Sequence, residues 1–146
     1  VPLDDWMPTL KSKLAEISGL NVRAYDELPA KLVDFPTLLI LPHSGRFEYS
    51  AGGPLTAHHE VQLNLYVAEQ LLGEGFATAV PYIELVRNKL AANMSLAGTV
   101  VTILPSAEAA TYDGPAGINY AGSQHLGIIF RYHVKENEGG AYTVAA

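Results

Sequence analysis

An α+β domain, with a mainly antiparallel β-sheet, two helices packed on one face and a protruding β-hairpin, is what three features of this 146-residue chain predict. Residues 57–67 alternate without a break, Ala57, His59, Val61, Leu63, Leu65 and Val67 against His58, Glu60, Gln62, Asn64 and Tyr66. That is the period of a strand with one face on the core. Residues 125–135 alternate in the same way, with Leu126, Ile128, Phe130, Tyr132 and Val134 on one side. Two other stretches carry helical spacing instead: Trp6, Leu10, Leu14 and Ile17, then Phe76, Ala79, Val80, Ile83, Val86, Leu90 and Met94. Strands grouped between separate helices sort into the α+β class.

The elements follow in order. Asp4 and Asp5 stand as caps before the first helical stripe, and Gly19 supplies its stop. Pro8 then requires a place in the first turn. The apolar run between Pro36 and Pro42 predicts a strand covered on both faces, with the prolines marking its ends. Gly45 to Thr56, with a Gly-Gly-Pro cluster, reads as one arm of a hairpin plus its tip. Pro81 places the start of the second helix near Thr78, and its period runs out at residues 95–98. Thr99 to Leu104 is a short strand closed by Pro105, residues 106–124 a long loop, and His125 to Lys135 the last strand. One domain therefore spans residues 1–135, and residues 136–146 form a mobile or partner-docked tail.

Composition excludes several function classes. There is no cysteine, which removes disulfides, thiolate metal sites and cysteine nucleophiles. A net charge of -6, with the nine cations scattered along the sequence, gives no electrostatic footprint for wrapping nucleic acid. The longest apolar run, Leu38 to Leu41, falls far short of the roughly 20 residues of a membrane span, and no basic segment leads into an apolar core at the start. A soluble protein with no membrane partner is expected.

The His58–His59–Glu60 triplet suggests a metal or acid/base site, but alternation splits it between two faces. His58 and Glu60 share one face, which His125 and His133 could approach if their strands are neighbours. Zinc needs three or four convergent ligands, and no helical His-Glu-Xaa-Xaa-His spacing is present. The row reads as a solvated strand face, and His59 as a residue at the edge of the core. Ser44, Ser50, Ser106 and Ser123 lie in turns or loops rather than on a nucleophile elbow. Asp4 with Asp5 and Asp26 with Glu27 read as a cap and a turn, and Gly114, Gly117 and Gly122 are misspaced for a dinucleotide turn. Neither an enzyme nor a cofactor or metal is expected. What remains is surface for other protein: Arg46, Phe47 and Tyr49 on the hairpin, Tyr112 and Tyr120 in the long loop, Tyr142 in the tail, and the His58–Glu60 row.

Three stretches, Val22–Ala30, Phe35–Pro42 and Ile118–Val134, taken with the strand 57–67 and the helix 76–94, resemble the small tail-terminator and tail-completion proteins of long-tailed bacteriophages. The resemblance spans most of residues 10–135. It implies a structural virion protein of the tail and neck, assembled in the host cytoplasm as a six-fold ring of identical subunits. Its implied partners are itself, the tail tube protein, the head–tail connector protein, and viral DNA that passes the lumen without sequence-specific binding. Such a ring ends tube polymerisation and joins tail to head. Other neck rings, connectors and adaptors, look alike and are the alternative, with a small α+β enzyme or ligand-binding domain as the rival class. A ring needs two different patches per subunit. The acidic balance further implies a lumen wall that repels phosphates over about 8 Å at physiological ionic strength.

Overall fold

The computed structural model describes all residues except 1–2, 33–34, 49–53, 69–72, 99, 113–117, 121–122 and 142–146. The elements run α1 (Leu3–Ala15), β1 (Asn21–Ala24), β2 (Thr37–Glu48), β3 (Pro54–Ala68), α2 (Gly73–Ala91), β4 (Thr102–Tyr112), β5 (Ile118–Tyr120) and β6 (Ser123–Ala141). The main sheet has the order β1-β2-β3-β6-β4, and β5 pairs with β6 beside it. β1 runs parallel to β2, and the other pairs are antiparallel. The chain is thus α+β, a mostly antiparallel five-strand sheet with two helices packed against it. Among the described residues no helix is long and apolar enough to cross a membrane.

Both helices cover the same face. Trp6, Leu10 and Leu14 of α1 and Ala79, Val86 and Leu90 of α2 join Leu38, Ile40, Val61, Leu63, Leu65, Ile128, Phe130, Tyr132 and Val134 in one buried cluster. Each large side chain in it contributes about 1.5–3 kcal/mol of apolar burial. On the opposite face a smaller cluster, Leu32, Leu39 and Tyr66 backed by Phe35, Leu41, Tyr120 and Ile129, covers only one end of the sheet.

Several local expectations fail for identifiable reasons. Pro8 and Pro81 both lie inside their helices, which begin earlier than the prolines suggest, at Leu3 and Gly73. Each proline removes one helical hydrogen bond. Both rings are exposed, and so is Ala77, whose carbonyl loses the bond from residue 81. α2 stops at Ala91 rather than at residues 95–98: beyond it the N–H groups of Asn93 and Leu96 donate three residues back, to Leu90 and Asn93, in place of the helical four, and Leu96, Ala97 and Gly98 then turn left-handed at φ 46°, 58° and 84°. Val80 and Met94, expected in the buried stripe, are 46% and 44% exposed.

Pro42 does not end its strand. β1 pairs with β2 only as far as Ile40, so beyond it β2 is an edge on that side, where a missing N–H is tolerated, and a register shift absorbs His43. Pro105 does not end β4 either. The register jumps from Pro105–Tyr132 to Ala110–Phe130, so part of the expected loop 106–124 is an irregular edge strand. β6 passes Lys135 and continues to Ala141, which takes six residues of the expected tail into the sheet. β4 starts at Thr102 opposite Lys135, so past that point only β2, β3 and β6 continue side by side. The expected hairpin is therefore the end of a three-stranded arm.

Candidate functional site

The candidate site is the uncovered half of the sheet face opposite the helices, and strand register builds it row by row. Side chains directly opposite in an antiparallel pair share a face. One row holds Gln62 between Leu41 and Arg131, the next holds Ser44, Glu60, His133 and Leu104, and the last holds Arg46, His58, Lys135 and Thr102. The alternation in 57–67 thus sorts its faces as expected, with His58 and Glu60 on the open side and His59, 9% exposed, on the helix side.

At the covered end, polar groups are chained rather than solvated. Gln62 Nε2 donates to Asn64 Oδ1 at 3.0 Å, and Asn64 Nδ2 donates to the Tyr66 hydroxyl at 3.3 Å. Burial pushes the Tyr66 phenol above its usual range, with the Asn64 bond acting against it. Tyr120, expected at a partner surface, turns inward. Its ring meets Tyr66 edge-on at 5.8 Å, and its hydroxyl donates to the Pro29 carbonyl.

At the open end, His58 Nδ1 and His133 Nε2 lie 2.9 Å apart, close enough for one neutral ring to donate to the other. Arg131 Nε stands 3.9 Å from Glu60. The described side chains of the last two rows and Arg131 carry three fixed positive charges, Arg46, Arg131 and Lys135, against one negative, Glu60. Cations scattered in sequence are gathered here, giving a patch of net charge 3 − 1 = +2 on a chain of −6. Among the described residues no group of three His, Cys, Asp or Glu could hold a metal ion. His125 pairs with Ile118 of β5 and stays away from the His58–His133 pair.

His133 is held below the usual histidine range, first by burial and then by the neighbouring His58 and Arg46, while Glu60 opposes them. The unfolded chain therefore binds a proton near pH 6.5 that the folded chain still refuses, so stability falls as pH drops below about 7. Urea denaturation across that range should show a shallower slope for His133→Asn than for the wild type. Identical slopes would remove His133 from the account.

On the helix side lies a group that sequence reasoning missed. Glu136, assigned to the mobile tail, is 2% exposed and accepts a hydrogen bond from Trp6 Nε1. His59 Nε2 approaches the same oxygen at 3.2 Å, within ion-pair distance but off the line of a hydrogen bond, and its ring lies 5.7 Å from the Trp6 ring. The signal was that Glu136 continues the Phe130, Tyr132, Val134 side of β6.

Of the other interface candidates, Arg46 is exposed on β2, and Phe47 and Tyr112 belong to β2 and β4. Tyr49 and Tyr142 lie outside the described residues. A cleft of about 540 Å³ lies elsewhere, between α1 and the turn after β1, lined by Met7, Pro8, Lys11, Tyr25, Asp26 and Glu27. Lys11 donates to Glu27 there and holds that carboxyl below its usual range. Neither a protein-family model nor a curated protein sequence matches this chain.

Proposed function

We propose that the chain is a ring-forming structural subunit of the neck of a long-tailed phage, a tail terminator that caps the tail tube, ends its polymerisation and offers a surface to the head connector. The observation that carries this reading is the arm. β2, β3 and β6 stay paired beyond the start of β4, out to Glu48–Thr56 and Pro54–Ala141, and strands that outrun their neighbour in the sheet are a means of reaching another subunit. The resemblance of Val22–Ala30, Phe35–Pro42 and Ile118–Val134 supplies the kind of neighbour: the same chain, a tube protein and a connector.

The charge of the open face supports a ring over a two-fold dimer. Two copies meeting through this patch about a dyad would oppose like charges, whereas the remainder of each chain carries −6 − 2 = −8. This favours heterologous contacts through the patch, and such contacts close into a ring when the rotation between neighbours closes. The same charge counts against the open face as the acidic lumen wall expected from composition, so we assign it to a subunit or tube contact and leave the DNA path to other surfaces. The test is whether purified protein forms closed rings that sit on tube ends and stop their growth.

A further inference from the structure

We propose that the open sheet face binds an acidic surface of a second copy of this chain and takes up a proton as it does so, with the His58–His133 pair as the group that receives it. This rests on the ring reading and deepens the open-face contact named there: the contact tightens as pH falls.

His58 lies opposite Lys135 and His133 opposite Glu60, so the two imidazoles meet diagonally across β3 and β6 and join the last two rows of the face. Their nearest nitrogens are 2.9 Å apart and their ring centroids 5.0 Å, and both side chains are half-buried. Such a pair accepts one extra proton without moving, because a charged imidazole still donates to a neutral one, and more strongly than before. With two extra protons, His58 Nδ1 and His133 Nε2 would both be donors, and the rings would have to part. The pair therefore titrates as a unit, and its first proton is the one a contact can use.

The surrounding charges decide what favours that proton. β2 brings Arg46 into the row of His58, with His43 in the register shift before it and Glu48 farther out, opposite Thr56. β6 carries Arg131 and Lys135 two residues to either side of His133, β3 carries Glu60 on this face and His59 on the other, and β4 contributes only Thr102 and Leu104, which have no charge. Glu60 is the one carboxylate of the two rows, and Arg131 stands 3.9 Å from it. The free face resists the proton: burial, then His58 and Arg46, hold His133 below the usual histidine range. Carboxylates brought from outside reverse that balance and meet a patch that rises from +2 to 2 + 1 = +3. The remainder of the chain, at −6 − 2 = −8, makes a second copy the source of those carboxylates. Duplex DNA is the poorer match, since three fixed cations around a glutamate make a small footprint for phosphates. Acid thus loosens the free fold and tightens the contact.

Sedimentation of the full chain between about pH 7.5 and 5.5 tests this. The wild-type association constant should rise as pH falls, approaching about tenfold per pH unit, the limit for one proton taken up. His58→Gln/His133→Gln should assemble with a clearly flatter dependence, because the general loss of negative charge on acidification is common to both chains. Dilution calorimetry of the wild type in two buffers of different ionisation enthalpy should read about one proton taken up per contact near pH 6.5. Arg46→Glu/Lys135→Glu should lose assembly across the whole range with a melting temperature close to wild type. Equal slopes in wild type and the histidine variant, no proton uptake, or full assembly of the charge-reversed variant would each overturn this inference and leave the ring reading standing. Acid-dependent capture of duplex DNA without acid-dependent assembly would overturn the choice of partner. A wild-type chain that stays monomeric at every pH and concentration would remove both readings.

Discussion

Glu136→Ala is expected to destabilise the fold by about 1–3 kcal/mol, the cost of leaving a buried donor without its acceptor. The Glu136 carboxylate accepts from Trp6 Nε1 and faces His59 Nε2 at 3.2 Å, in a place where it is 2% exposed itself. Alanine leaves the indole N–H buried without its acceptor, which is where the cost arises. The cluster also ties the first helix to the far half of the last strand, so its loss should loosen the packing of α1 on the sheet. Replacing Trp6, His59 and Glu136 together by apolar residues of similar volume should recover most of the loss, because such exchanges are often neutral or stabilising. Chemical denaturation of the single and triple variants checks this. A Glu136→Ala chain within about 1 kcal/mol of wild type would mean that the cluster is solvated and not a lock.

The second large effect is functional. If the subunit is the tail terminator proposed above, removing Ala51 to Pro54 should leave a folded chain that no longer caps tails, seen as tails of uncontrolled length. Folding survives because the helix-side core is built from β2, β3 and β6 residues well before this end, from Leu38 to Ile40, Val61 to Leu65 and Ile128 to Val134. On that proposal capping fails because the deletion alters the far end of the arm, where β2 pairs through Glu48–Thr56 and β3 meets β6 at Pro54–Ala141. Unfolding curves that match wild type together with normal tail lengths would show that this end of the arm makes no contact.

How far sequence reading went depends on what set each element. β3 was legible because one of its faces is buried and the other carries His58, Glu60 and Gln62, and that contrast writes itself as alternation. The far half of β6 was not. Its core-facing residue is a carboxylate and Gly139 and Gly140 carry no side-chain pattern, so only the backbone of β3 determines that it stays a strand. β1, four residues long, exists because β2 offers a parallel edge beside it. Pro42 and Pro105 misled as terminators because edge strands tolerate a missing N–H. The site followed the same rule. That His58 and Glu60 share a face could be read from spacing, whereas the meeting of His58 with His133 and the gathering of Arg46, Arg131 and Lys135 needed the adjacency of β2, β3 and β6. Strand order is a property of the whole sheet, and no local pattern carries it.

The central claim is that one surface of this subunit recognises a different surface of the next. Mass measurement of the purified protein, followed by electron microscopy in the presence of growing tail tubes, tests it most directly. A closed ring of single stoichiometry, seen at tube ends that have stopped growing, is the predicted result. A stable monomer or a two-fold dimer, with tubes lengthening as if the protein were absent, would contradict it.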